Sequence, residues 1–215
     1  MVAVAEKTDW HDWHLRYADD ASALSRRLRL VRRHIEEWLD ERPESSLRVV
    51  SVCAGRGDDL VGVLARRLDA GRVRAELIEQ DPRNVAAARA GIAAAGLAGI
   101  AVTCADAGDF AAYRGAVQAD LVLLAGVLGN ISDEDVRATI NAVARLCAPG
   151  ATVIWTRTRR APDLTPAVRG WFGEAGFVER AFDAPPDVLF SVGVHRFDGQ
   201  PQSLPSSGRI FTFIV

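Results

Sequence analysis

The stretch Val49-Val50-Ser51-Val52-Cys53-Ala54-Gly55-Arg56-Gly57-Asp58-Asp59-Leu60 reads as a strand, a tight glycine turn and the start of a helix. Leu47 to Val52 is largely β-branched and apolar, as a strand buried on both faces should be. Gly55 and Gly57 then admit backbone angles that a side chain would forbid, and let a ligand approach the main chain closely. Beyond the turn, Leu60, Val63, Leu64 and Leu68 fall on one helical face. Such a unit presents free N–H groups and a positive helix end at the carboxyl edge of a sheet, where open α/β sheets bind ligands.

The pattern is Gly-x-Gly-x-x-Leu. Leu60 stands where the dinucleotide fingerprint takes a third small residue for close helix packing. Asp58 and Asp59 are expected in the first helical turn, where they complement its dipole and repel a pyrophosphate. The turn therefore favours a neutral or cationic nucleoside, and a nicotinamide oxidoreductase is disfavoured. A Gly-x-Gly alone is a weak signal, and a plain tight β–α connection is the alternative.

Composition narrows the field. The 215 residues suit one domain, and 49% hydrophobic with 25% charged residues is ordinary for a soluble globular protein. A net charge of −2 gives no electrostatic case for nucleic acid. No run of 18 apolar residues is present, so no membrane span is expected. Met1 to Asp12 lacks the layout of a signal peptide. Cys53, Cys104 and Cys147 are widely spaced in apolar segments, which reads as buried thiols in a reducing cytosol, without disulfides or a metal site.

Ahead of the glycine turn, residues 1–44 hold an aromatic and histidine segment and an amphipathic helix. Trp10, His11, Trp13, His14 and Tyr17 crowd eight positions. They read either as a hydrophobic plug or as a lid whose aromatics cover a ligand and whose imidazoles face it. Leu24, Leu28, Val31, Ile35 and Trp38 then form a core-facing stripe, with Arg26, Arg27, Arg32 and Arg33 on a solvated face.

Residues 45–215 alternate strands and helices. Arg74 to Ile78 is the second strand, followed by Glu79-Gln80-Asp81-Pro82 and a helix through Val85–Ala95. Glu79 lies 22 positions after Gly57, at a strand end, where an acid holds a ribose hydroxyl pair; Glu79 or Asp81 as a helix cap is the competing reading. Ile100 to Cys104 is the third strand, ended by Asp106, a carboxylate suited to an adenine amine or to a cap. Asp120 to Ala125 is the fourth, followed by the loop Gly126-Val127-Leu128-Gly129-Asn130-Ile131 and a capping box at Ser132 to Asp135. Asn130 can donate and accept at the same edge as the glycine turn, and is also an ordinary turn residue. Ala151 to Thr156 is the fifth, followed by Arg157, Arg159 and Arg160, a solvated loop or a site for an acidic group. Thr165-Pro166 signals an N-cap and a first-turn proline. Phe177–Phe182, Ser191–Phe197 and Ile210–Val215 are extended candidates, the last the most strand-like.

Taken together, these segments resemble the class I S-adenosylmethionine-dependent methyltransferases. The signatures are Val50 to Gly57, Leu77 to Pro82, Cys104-Ala105-Asp106-Ala107, and Asp120 to Leu124 followed by Gly126-Val127-Leu128. The resemblance implies a Rossmann-like α/β sandwich whose seven-stranded, mostly parallel sheet has an antiparallel C-terminal strand. It implies that Cys53, Ala54, Gly55, Arg56 and Gly57 hold the methionine part of S-adenosylmethionine. Glu79 with Gln80 would take the ribose, Asp106 with Ala107 the adenine, and Gly126 with Val127 the methyl side. Ser51 replaces the family's usual acid, and Cys53 replaces its first glycine.

The expected chemistry is direct in-line methyl transfer to a small-molecule acceptor, leaving S-adenosylhomocysteine. Positioning is then the main task, and near-attack geometry is worth up to roughly 7–11 kcal/mol. His14, His11 and His195 are the candidate bases, because imidazole titrates near neutrality. Trp10, Trp13, Tyr17, Asn130 and Arg157 are the candidate acceptor contacts. A non-catalytic nucleoside-binding module on the same fold is the rival reading.

Overall fold

A computed structural model describes Asp19 and residues 21–214. The residues expected to form a lid, Trp10, His11, Trp13, His14 and Tyr17, lie outside the described residues. In chain order the elements are α1 (Ala23–Asp40), β1 (Leu47–Val52), α2 (Leu60–Leu64), β2 (Val73–Glu79), α3 (Pro82–Ala94), β3 (Ile100–Cys104), β4 (Ala119–Leu124), α4 (Asp133–Val143), β5 (Cys147–Thr158), α5 (Thr165–Glu174), β6 (Phe177–Asp183) and β7 (Phe190–Phe197).

The seven strands form one sheet in the order β3-β2-β1-β4-β5-β7-β6. The pairs among β1 to β5 are parallel, and β7 runs antiparallel to both β5 and β6. This is the Rossmann-like sheet with an antiparallel closing strand that the motifs implied. The order reverses between β1 and β4, so the crevice for a ligand opens above their carboxyl ends.

Alternation along β1 divides the core into two layers, because successive side chains leave a strand on opposite faces. Leu47 and Val49 pack with Val31, Ile35 and Trp38 of α1, Leu60 of α2 and Val85 of α3. Val50 and Val52 pack on the other face with Ile140 of α4 and Phe172 of α5. Burying each such large apolar side chain contributes about 1.5–3 kcal/mol.

Several local expectations are corrected. Leu68 is fully exposed, because α2 ends at Leu64. Arg66 and Arg67 N–H groups close turns onto Val63 and Leu64 carbonyls, and the Arg67 side chain binds Asp69 at 2.8 Å and Asp40 at 2.7 Å. Asp59 is not inside a helical turn but caps α2, accepting from Leu60 N–H at 2.7 Å; burial raises its carboxyl above the usual range. Three α1 arginines are not simply solvated. Arg32 donates to the Asp58 carbonyl at 2.9 and 2.5 Å, Arg33 to Asp183 at 3.0 Å, and Arg26 to Asp187 at 2.7 Å. At α5 the side chain taking the capping bond is Asp163, which accepts from Thr165 N–H at 2.9 Å, rather than Thr165 itself.

The expected strand at Ile210–Val215 is absent from the sheet. Its described residues make one isolated antiparallel bridge, Phe213 to Ile131, and Arg209 just ahead of it makes another, to Asp109. The two borders of the sheet are β3 and β6. β6 carries a register shift between Glu179 and Ala181, and on β3 the Val102 carbonyl accepts from Arg89 Nη2 at 2.8 Å.

Candidate functional site

The strand registers bring the predicted residues level with one another. Val52 pairs with Ile78 and Glu79 with Cys104, while Ser51 pairs with Leu123 and Leu124 with Trp155. Cys53, Glu79 and Thr156 therefore stand at one height on the carboxyl rim, with Gly126 just above.

The glycine turn is built from three unusual backbone angles. Cys53, Gly55 and Gly57 have φ of 52°, 57° and 71°. Cys53 therefore adopts a left-handed conformation, which costs an L-residue about 1–2 kcal/mol. Ala54 N–H donates to the Ile78 carbonyl and Gly57 N–H to the Ala54 carbonyl, both at 2.9 Å. At Gly57 there is no room for a side chain: a Cβ would sit 2.7 Å from Leu77 Cδ2. Gly57 thus lets Leu77 of β2 and Val61 of α2 close against the turn.

Glu79 is 8% exposed, at the tip of β2 beneath this turn. Its Oε2 accepts from Gly55 N–H and its Oε1 from Asp81 N–H, each at 2.8 Å. Two carboxylate oxygens offer about four acceptor directions, so one on each remains for a ligand donor. The competing reading of Asp81 also holds, since it caps α3 through Arg83 N–H at 2.8 Å. Gln80 is exposed and Arg56 half-buried.

After β3, Asp106 Oδ1 accepts from Gly108 N–H at 2.8 Å, and Oδ2 accepts from Arg209 Nη1 at 2.6 Å. Ala107 is buried, and its carbonyl accepts from Tyr113 Oη at 2.6 Å. The Cys53 thiol is pushed well above its usual range, first by burial and then by the negative charges of Glu79 and Asp106. Those charges register at the thiol because all three groups converge.

The loop after β4 closes the other side. Gly126, at φ 86°, donates its N–H to Thr156 Oγ1 at 2.9 Å, and Asn130 Nδ2 donates to the Gly126 carbonyl at 2.6 Å. The Val127 side chain is fully buried in the core. Arg157 is drawn inward, donating to the Leu128 carbonyl and, at 3.2 Å, to Asp133 Oδ1. Arg159 binds the Pro185 and Val188 carbonyls at 2.5 and 2.7 Å. Both guanidinium groups thus serve loop closure, which removes the ground for reading them as a cluster for an acidic acceptor.

His195 does not stand at the rim. It pairs with Val153 on β5, three positions down-strand from Thr156, which is about 10 Å. Trp155 Nε1–H donates to its Nδ1 at 3.1 Å, Phe172 stacks on it at 4.5 Å, and burial lowers its pKa to about 4. An imidazole so placed is a neutral core group. Among the described residues the other histidine, His34, has its ring nitrogens against Asp183 at 2.6 Å and Glu37 at 3.0 Å.

Thr156, Tyr113 and Arg209 support the rim and were not singled out by sequence reading. Their partners are 30, 6 and 103 positions away, so no local pattern marks them.

No protein-family model matches the chain, and no curated protein matches it. Solved structures do. Magnesium protoporphyrin IX methyltransferase from Synechocystis PCC 6803, solved with bound SAM, aligns at a TM-score of 0.68 and 14% identity, over 89% of this chain and 92% of that one. An O-methyltransferase family protein from Burkholderia thailandensis aligns at 0.58 and 21%, over 86% and 63%. The [4+2]-cyclase SpnF aligns at 0.57 and 16%, over 79% and 81%. Strand order, the antiparallel β7 and these likenesses agree: the chain has the fold of the class I S-adenosylmethionine-dependent methyltransferases.

Proposed function

We propose that this protein is an S-adenosylmethionine-dependent methyltransferase acting on a small molecule. The observation that carries the reading is Glu79, a buried carboxylate level with the glycine turn, with acceptor capacity left on both oxygens. The residues present fit the cofactor. Gly55 puts no side chain on the turn, Glu79 can accept a vicinal hydroxyl pair, and Asp106, after the neighbouring β3, offers a second acceptor. When bound, S-adenosylmethionine supplies a sulfonium methyl group for in-line displacement by an acceptor nucleophile.

The chain's own part is positioning. Glu79 orients the sugar while holding Gly55 in place, so ligand and turn share one acceptor. Gly126, tied to Thr156, and Asn130, tied to Gly126, fix the wall on the acceptor side. A prearranged wall of this kind lowers the barrier by restricting approach rather than by donating charge. Support for a small acceptor comes from the short connections between strands and the acidic overall charge.

Titration calorimetry with S-adenosylhomocysteine tests the reading. The wild-type protein is expected to bind, and Glu79→Ala to bind about 10- to 100-fold more weakly, since bonds to a charged group are lost. Undiminished affinity in Glu79→Ala removes Glu79 from the site. A screen of acceptors with labelled methyl donor then tests transfer. A second reading, binding without methyl transfer, is favoured by the side chain at Cys53 and by the cyclase that shares the fold. Binding with no labelled product from any acceptor supports that one.

A further inference from the structure

The loop after β3, assigned to the adenine, and the loop after β4, assigned to the acceptor side, are stapled together by residues 208–214. Phe110 N–H donates to the Gly208 carbonyl at 3.0 Å, and Ile210 N–H to the Gly108 carbonyl at 2.7 Å. Further along, Thr212 N–H donates to Asp135 Oδ2 at 3.1 Å and Ile214 N–H to the Asn130 carbonyl at 3.0 Å. Ile210 and Phe211 are buried between these ends, so the segment is anchored in the core as a strap across the rim. It lies tight on the loop after β3: a Cβ on Gly108 would fall 2.4 Å from the Phe211 carbonyl oxygen.

At the start of the strap, Arg209 Nη1 donates to Asp106 Oδ2 at 2.6 Å, and its Nε donates to Thr212 Oγ1 at 3.1 Å. Gly108 N–H holds the other oxygen of Asp106 at 2.8 Å. The carboxylate is thus gripped on both oxygens, with one acceptor direction left on each. The ion pair is about half-exposed, and such pairs contribute little to stability. What a planar guanidinium supplies here is direction.

We propose that Arg209 is a positioning residue that aims the Asp106 carboxylate at the exocyclic amine of a bound adenine, so that the strap selects a 6-amino purine nucleoside over a 6-oxo one. The proposal rests on the nucleoside reading given above. An amine donates to the free lone pair of Asp106. A 6-oxo group sets acceptor against acceptor and is rejected. Loosening the carboxylate blunts both the attraction and the rejection.

The test is calorimetry of the full chain with S-adenosylhomocysteine and S-inosylhomocysteine, for wild type, Arg209→Gln and Arg209→Lys. Wild type is expected to prefer the adenosyl compound by roughly 30-fold or more. In Arg209→Gln that preference falls about tenfold, because adenosyl binding weakens while inosyl binding does not, and the urea midpoint is unchanged. Arg209→Lys keeps the charge without the fork and recovers part of the preference. An undiminished preference in Arg209→Gln, or an equal loss for both ligands, overturns the assignment. If Arg209→Gln does not fold, an undiminished preference in Arg209→Lys overturns it. Wild type binding neither compound defeats the nucleoside reading itself, and this inference with it.

Discussion

Gly57 carries two constraints at once. Its φ of 71° is left-handed, and a Cβ would meet Leu77 Cδ2 at 2.7 Å. Gly57→Ala adds a backbone penalty of about 1–2 kcal/mol to overpacking of about 1–3 kcal/mol. A loss of about 2–5 kcal/mol is expected, read as a lower urea midpoint at unchanged slope. The pattern of residues 49–60 located this turn because strand, glycines and helix start lie side by side in sequence. Cys53 was legible only as a departure. Its backbone is left-handed like those of Gly55 and Gly57. Arg209 carried no signal, since the grip on Asp106 spans 103 positions and nothing local marks its other end.

The strands and long helices were legible because burial imposes periodicity, and that holds for β1, found at the expected Leu47–Val52. Where tertiary partners decide, the pattern misled. Leu68 continues the apolar stripe of α2, yet the turn after Leu64 leaves it in solvent. Ile210 and Phe211 read as a strand because they are apolar, yet they anchor the strap in the core. The hairpin of β6 and β7 supplies a pH prediction. His195 titrates near pH 6.5 in the unfolded chain and at about 4 in the fold. Burial is the main cause; Glu179, 3.7 Å from Nε2, raises the value, and Arg169 lowers it. As pH falls below 6.5 the unfolded chain takes a proton that the native state refuses. Stability is therefore retained above that pH and declines toward pH 4, by about 3 kcal/mol in all. His195→Gln should remove most of this slope between pH 6.5 and 4.5, measured by urea unfolding.

For the whole molecule, the rim stands on strands whose two faces feed both core layers, so a rim ligand should be felt in global unfolding. A ligand that binds only the folded state at one hundred times its dissociation constant adds about 2.7 kcal/mol. For a chain of 215 residues that amounts to a melting-point rise of about 5–10 °C. S-adenosylhomocysteine should give this rise and NAD should not, in a thermal melt, because Asp58 and Asp59 oppose a pyrophosphate at the turn. Architecture was accessible from sequence because β–α alternation admits few arrangements. The acceptor was not, because Asn130 and Arg157, the candidate contacts that the structure describes, are bonded to the protein itself.

The reach of Arg89 to the Val102 carbonyl has a bearing on how this protein behaves in a crowded solution. An open sheet leaves main-chain acceptors along both outer flanks, and a foreign strand can dock there and start a fibril. Along β3 one of those acceptors is already taken by a charged side chain, while at β6 the kink by Glu179 spoils the straight ladder a newcomer would need. Each flank is fended off by a different device, and neither depends on the ligand.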